Sequence, residues 1–72
     1  MSTIYTKEGE QEYSPEAVAA LKGSRYAVVQ PSQGNKMGVM LVGANGLCEW
    51  DHFGGPGRTK KAISEARSWV GL

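Results

Sequence analysis

Residues 37–53 read MGVMLVGANGLCEWDHF, and this stretch decides the fold. Residues 37–43 are almost all apolar, as in a strand at the centre of a sheet. Asn45 and Gly46 follow, and Asn-Gly is the strongest short-range signal for a β-hairpin, because both residues tolerate a positive φ angle. The sequence therefore predicts a hairpin in which residues 37–43 pair with a returning strand, residues 47–53.

The hairpin also predicts which side chains share a face of the sheet. With Asn45 and Gly46 as a two-residue turn, Ala44 lies opposite Leu47, and residues opposite each other point to the same face. One face then carries Val39, Leu41, Cys48, Trp50 and His52, and the other carries Met40, Val42, Leu47, Glu49, Asp51 and Phe53. The first face is expected to be core, because the second holds two carboxylates that are costly to bury. The second face, which is apolar around those carboxylates, is expected either to be a contact surface or to be covered by a second element of the fold.

Local signals predict one more strand and one helix before the hairpin. Residues 24–30 (SRYAVVQ) have the tyrosine and valine content of a strand, and the turn formers of residues 31–36 lead into the hairpin. Residues 14–16 (SPE) mark a helix start, since serine caps, proline suits the first helical position and glutamate favours the positive end of the helix dipole. This helix is expected to span residues 15–22 and to end at Gly23.

A second helix is expected after the hairpin. The glycine-rich residues 54–57 (GGPG) break the strand, Thr59 is expected to cap the helix, and Gly71 to end it. Its apolar residues recur at helical spacing on one face: Ala62, Ile63, Ala66, Trp69 and Val70. Lys60 and Lys61 stand at the positive end of this helix, where the dipole disfavours cations. Such a broken local rule is mildly enriched at functional sites.

These elements predict an α+β fold in which a three-stranded antiparallel sheet carries two helices on one face, in the order α-β-β-β-α. Thr3–Thr6 has strand-like composition and, if it pairs, is expected as a fourth, short strand at the sheet edge. The length of 72 residues allows one small domain, residues 1–72, with a thin core. It excludes a nucleotide-binding α/β fold and a barrel enzyme.

The cysteine and histidine content of the chain, and the spacing of these residues, predict neither an enzyme nor a metal site. Cys48 is the one cysteine and His52 the one histidine, which excludes a disulfide framework and leaves too few strong ligands for a metal. On a strand the two share a face but lie about 13 Å apart, beyond the reach of a nucleophile and its base. We therefore expect no catalytic residue, no cofactor and no bound metal, with Cys48 and Trp50 in the core and His52 at a strand end.

The sequence is expected to belong to a cytoplasmic protein. No apolar run approaches the ~20 residues of a membrane helix, and residues 1–13 are polar and acidic, unlike a secretion signal. A small domain without a disulfide framework also favours a reducing compartment.

The distribution of charge is more informative than its sum of +1. Residues 1–20 carry one lysine and four glutamates, whereas residues 57–72 carry four basic side chains and one glutamate. Either the two poles attract each other in the folded chain, or one of them is a docking surface.

The C-terminal part of the chain resembles a family of DNA-binding domains. Residues 54–61 (GGPGRTKK) are superficially similar to a phosphate-binding loop, and the amides and lysines at the helix start could hold an anion. Three strands followed by residues 57–62 (GRTKKA), with Ala66 and Trp69, resemble the arm-binding or AP2-type domains of phage integrases, in which the sheet enters the major groove. This resemblance implies a small nucleic-acid-binding module whose contacts are Lys36, Arg58, Lys60 and Lys61.

The leading hypothesis is a protein inhibitor. Where integrase domains carry arginine and lysine on the exposed sheet face, the contact face predicted here carries Glu49 and Asp51, which repel phosphates. A short, cysteine-poor cytosolic chain without a catalytic constellation resembles the small phage-encoded inhibitors that include anti-CRISPR proteins. The resemblance implies binding to a CRISPR surveillance or effector complex and a block of target DNA binding by steric or charge-based occlusion. The expected partner-binding residues are Glu8, Glu10 and Glu12 as phosphate mimics, and Glu49, Asp51 and Phe53 on the sheet face.

A third hypothesis is a structural subunit of a larger assembly. A protein complex is expected as the partner ahead of nucleic acid, and no membrane partner is expected. The sequence leaves open the identity of the partner and the oligomeric state.

Overall fold

The computed structural model describes residues 2–72, so Met1 lies outside the described part of the chain. Five strands and two helices form within that part: β1 (Thr3–Thr6), β2 (Gly9–Glu12), α1 (Pro15–Ala20), β3 (Tyr26–Pro31), β4 (Met37–Val42), β5 (Cys48–Phe53) and α2 (Arg58–Val70). The predicted α+β class is confirmed. Neither helix within residues 2–72 is long and apolar enough to span a membrane.

The strands form one open antiparallel sheet in the order β2-β1-β3-β4-β5, which corrects the expected three-stranded sheet. Strand β1 is an inner strand and not an edge, because Ile4 pairs with Val28 of β3 on one side and with Gln11 of β2 on the other. Strand β2 has the sequence GEQE, which lacks apolar periodicity. Its strand conformation depends on backbone pairing with β1, so no local side-chain pattern predicts it.

The two helices lie on opposite faces of the sheet, which corrects the expected packing on one face. Side chains of a strand alternate between the faces. In β3, Ala27 and Val29 belong to the core against α2, whereas Tyr26 and Val28 belong to the core against α1. Strand β3 is therefore buried on both faces, and its continuous run YAVV is typical of a strand covered from both sides.

The β4–β5 hairpin pairs one residue away from the expected register. Val39 lies opposite Asp51 instead of His52. The reason is a loop of three residues, 44–46, in place of two. A one-residue shift turns every β5 side chain to the other face. The α2 face of β5 therefore carries Glu49, Asp51 and Phe53, and the α1 face carries Cys48, Trp50 and His52.

The helix ends follow the local signals with two corrections. Ser14 caps α1 as expected, since its Oγ accepts a hydrogen bond of 3.1 Å from a helix amide, but α1 is shorter than expected and ends at Ala20. Gly57 is the N-cap of α2, so the expected cap at Thr59 is wrong. Gly71 ends α2 in the left-handed conformation, as predicted.

Candidate functional site

The residues expected to bind a partner lie at two opposite edges of the sheet. Three are exposed on β2 or in the turn before it: Glu8, Glu10 and Glu12. The other three lie on β5, at the far edge: Glu49, Asp51 and Phe53. Four strand spacings of about 4.8 Å, roughly 19 Å in all, separate the two edges. The structure therefore does not bring these six residues into one surface.

The β5 members of that set face α2, which corrects the expected open contact face. Phe53 is half-buried and packs against the core beneath α2. The carboxyl group of Glu65, on α2, lies beside Asp51. The pKa of Glu65 is raised to about 7. The main cause is burial, followed by a hydrogen bond with the Asp51 carboxyl group and by the charges of Asp51 and Glu49. Asp51 and Glu65 thus form a carboxyl pair between β5 and α2.

On its other face, β5 exposes the rings of Trp50 and His52. The rings are stacked, with centroids 6.0 Å apart and planes 7° from parallel, and Trp50 is 45% exposed. The hydroxyl oxygen of Ser32, in the β3–β4 loop, lies 3.1 Å from Nδ1 of His52 and helps to hold the imidazole in place. Trp50 and His52 are called the stacked pair below.

Gly38 of β4 lies beneath the stacked pair, opposite His52 in the pairing. A Cβ atom at this position would lie 3.2 Å from Cβ of Ser32, and 3.5 Å from both Nδ1 of His52 and Cζ3 of Trp50. Glycine therefore allows the loop serine and both rings to approach the β4 backbone closely. The missing side chain shapes the floor of the site.

The stacked pair forms one wall of an open groove of about 670 Å³. The other wall is the end of β3 with the β3–β4 loop, and contains Gln30, Pro31, Ser32, Gln33 and Lys36. Lys36 gives this wall its positive charge, and its stem passes beside Gly54, with Cγ 3.4 Å from where a Cβ atom would stand there. This surface, called the Trp50 groove, combines exposed aromatic rings with amide, hydroxyl and ammonium donors.

The strand carboxylates and the Trp50 groove lie on opposite faces of the sheet. The strands carry four carboxylates, and the register places all of them on the α2 face: Glu10, Glu12, Glu49 and Asp51. Burial raises the pKa of the Tyr5 phenol, and the carboxylate of Glu10 raises it further, as expected for two side chains that share a face. Strands β1 to β5 therefore contribute no carboxylate to the face that carries the stacked pair.

The basic candidates gather at one end of the sheet. The β3–β4 loop with Lys36 and the β5–α2 loop lie at the same end, because the first residue of β4 pairs with the last residue of β5. Arg58 and Lys60 stand in the first turn of α2, directly after the second of these loops. Lys61 lines a different groove, along α2, together with Glu65. Lys36 is thus the member of this set that lines the Trp50 groove.

The exposure of Trp50 and Cys48 contradicts their expected core positions. A signal for the correct arrangement is present in the loop. Residues 44–46 (ANG) also fit a three-residue hairpin loop, in which a type I turn is followed by a glycine in the left-handed conformation, and Gly46 has a φ angle of +86°. Counting pairs outward from a three-residue loop places Trp50 opposite Met40 and Asp51 opposite Val39, as observed.

Comparison with known proteins assigns no family. No protein-family model matches the chain, and searches of curated proteins and of solved structures found no match. Function therefore has to be inferred from the Trp50 groove and its surroundings.

Proposed function

We propose that this chain is a small nucleic-acid-binding module without enzymatic activity, and that the Trp50 groove is its binding surface. One observation carries the proposal: an exposed aromatic pair lies on the sheet face to which strands β1 to β5 contribute no carboxylate. Bases stack on exposed aromatic side chains, and carboxylates repel phosphates. The separation of Trp50 and His52 from Glu49 and Asp51 along a single strand therefore favours a nucleic acid over a cationic partner.

The observed register also supports a nucleic-acid partner. The sheet face away from the C-terminal helix carries the stacked pair in place of two carboxylates. Lys36 in the groove, with Arg58 and Lys60 at the neighbouring end of α2, supplies cations for phosphates. Because few cations lie there, we expect moderate affinity and a shallow salt dependence that reflects about two or three phosphate contacts.

Fluorescence anisotropy of labelled DNA and RNA oligonucleotides, each tested single-stranded and as a duplex, tests the proposal. We expect Trp50→Ala to weaken binding about tenfold, as for the loss of one stacked base. Leu47→Ala is the matched control, because Leu47 is 66% exposed on the same hairpin and lies outside the groove. Absence of binding to all four nucleic acids, or an equal loss in the control, overturns the proposal.

A second candidate, an inhibitor of the anti-CRISPR type, is favoured by the acidic edge strand. Glu10 and Glu12 are exposed on β2 two residues apart, so their carboxylates repeat at about 6.6 Å along one line. With Glu8 in the preceding turn, this row is suited to occupy a phosphate-binding cleft of a CRISPR complex. Either candidate would act in the cytoplasm, the location we propose.

Target-DNA binding by a CRISPR surveillance complex, measured with and without the protein, tests this second candidate. Replacing Glu10→Lys and Glu12→Lys together should abolish inhibition. Glu16→Lys, an exposed change on α1 outside the row, should leave inhibition intact. Inhibition that survives the double replacement, or no inhibition by the unaltered protein, rejects the acidic row as the inhibitory surface.

A further inference from the structure

We infer that the Trp50 groove takes single-stranded and not duplex nucleic acid, with one base stacked on the indole of Trp50 and the adjoining phosphate at Lys36. This inference rests on the proposed function and names the class of ligand. It follows from how much of the sheet face is open, from which ring surface is available, and from how the groove is built.

Helix α1 limits the open part of the face. Tyr26 and Val28 of β3 are buried on this side, and Val18 and Leu21 pack against the same core. A sheet that enters a major groove reads base edges with polar side chains from its exposed strands. The residues that β4 presents here are Gly38, Met40 and Val42, and none of them has a hydrogen-bonding side chain. The polar side chains of the groove, from Gln30 to Lys36, lie at one end of β4, so the open face offers a duplex only a short polar patch.

The indole of Trp50 offers a surface that only an unpaired base can use. His52 stacks against one side of the ring. On the other side the next β5 residue of this face is Cys48, which is exposed, so no large β5 side chain covers that side of the indole. Bases inside a duplex are already stacked on their neighbours, whereas a base of a single strand presents its flat face to an aromatic side chain.

The groove is arranged for this ligand before binding. Ser32 contacts Nδ1 of His52, and Gly38 allows the loop and the rings to lie close together. Side chains that are already ordered lose less conformational freedom when a ligand arrives. Lys36 lies in the same groove as Trp50, and we expect its ammonium group to contact the phosphate next to the stacked base. The groove volume of about 670 Å³ lies in the range of sites for one small ligand, so we expect a footprint of about one or two nucleotides.

Competition experiments separate this inference from the proposed function. A labelled single-stranded DNA oligonucleotide is displaced by the unlabelled strand, by its duplex and by an abasic strand that keeps the phosphates. We expect the duplex and the abasic strand to compete at least about tenfold more weakly than the intact strand. A duplex that competes equally or better overturns the inference and leaves the proposed function standing. An abasic strand that competes equally would show that no base stacks on Trp50. If no strand binds at all, the proposed function is rejected as well.

Two variants of Trp50 make the same test on the protein side. Trp50→Phe keeps an aromatic surface and should retain most of the affinity, whereas Trp50→Ala should lose about tenfold for the intact strand and little for the abasic strand. Because Trp50 is exposed on an edge strand, both variants are expected to fold, and their unfolding transitions verify this. Equal affinities of Trp50→Ala and the unaltered protein for the intact strand contradict the stacked base.

Discussion

The indole N–H of Trp69 donates a hydrogen bond of 3.2 Å to the backbone carbonyl oxygen of Val42. This bond ties the last turn of α2 to the final residue of β4. The guanidinium group of Arg25 lies 4.3 Å from the centroid of the same indole, and its Nη1 lies 3.4 Å from the backbone oxygen of Trp69. Trp69 thus connects α2 with β4 and with Arg25, the residue before β3, whereas the ring of Trp50 is 45% exposed.

Trp69→Phe is expected to lower the free energy of unfolding by at least about 1 kcal/mol, because a smaller aromatic ring remains and the donor to Val42 is lost. Urea denaturation measures the change. Trp50→Phe is the matched control, since it makes the same replacement on an exposed ring and should change stability by less than about 0.5 kcal/mol. Equal losses in the two variants would contradict the structural role of Trp69.

Ile4→Ala should destabilise the protein by about 3 kcal/mol, because Ile4 is fully buried on an inner strand and its removal leaves a cavity. The same urea titration measures it. Leu47→Ala removes an equally large side chain from an exposed position and should cost less than about 0.5 kcal/mol. A small loss for Ile4→Ala would place β1 at an edge of the sheet.

Gly46→Ala should cost about 1 kcal/mol, because Gly46 has a φ angle of +86°, which a side chain disfavours. Gly46→Asn should cost less, since asparagine tolerates the left-handed conformation better.

Deleting Ala44 should preserve the pairing of Gly43 with Leu47 and give a two-residue Asn-Gly turn. Backbone NMR contacts across the hairpin test the register, and pairs shifted by one residue would refute it.

Glu65 should make the protein less stable as the pH rises through neutrality. Asp51 and Glu49 face its carboxyl group from β5, and Lys61 lines the same groove on α2. Because the pKa of Glu65 rises from 4.5 to about 7, the folded state binds a proton more tightly than the unfolded state. Its contribution to stability is therefore present below pH 4.5 and is lost as the pH rises through 7.

Glu65→Gln should reduce the loss of unfolding free energy between acidic and alkaline pH by about 1 kcal/mol. This value allows for screening by nearby solvent. Urea titrations at acidic and at mildly alkaline pH measure the difference. Glu16→Gln, on α1 away from the carboxyl pair, should leave the pH profile unchanged. An unaltered profile in Glu65→Gln would show that Glu65 does not cause the pH dependence.

Gly38→Ala should weaken binding of a single-stranded oligonucleotide several-fold without unfolding the protein. The added Cβ atom would lie 3.2 Å from Cβ of Ser32, so the loop must move and its contact with His52 weakens. Gly34→Ala provides a control in the same loop, where a Cβ atom meets no neighbour within 4 Å, although the φ angle of +69° adds backbone strain. If both variants bind alike and as tightly as the unaltered protein, Gly38 does not shape the groove.

Elements with local signals could be predicted, whereas an element without one could not. Ser14 marks the start of α1 and Gly71 the end of α2, because capping depends on one or two neighbouring residues. The strands β3, β4 and β5 follow from their apolar or aromatic content. In contrast, β2 (GEQE) is polar throughout and becomes a strand because β1 supplies its backbone partners.

The candidate site depends on a difference of one loop residue. The Asn-Gly dipeptide predicts a hairpin correctly, but the same letters fit a loop of two residues or of three. A positive φ angle is required at Asn45 in the two-residue turn, and in residues 2–72 such angles occur at glycines alone. The three-residue loop therefore sets the register, with Gly43 bonded to Leu47 over 2.8 Å.

Caps, turn residues and apolar runs act over short distances, so they predict the class of fold, the hairpin and the approximate positions of both helices. Long-range packing set the rest: the helices cover opposite faces, and α2 covers the face of β5 that carries Glu49 and Asp51, which leaves Trp50 and His52 on the other face. Strand side chains alternate with a period of two, so one residue in a loop reverses both faces of β5. In the observed register of the β4–β5 hairpin, Phe53 packs against the core beneath α2. The same register leaves the indole of Trp50 exposed on the other face.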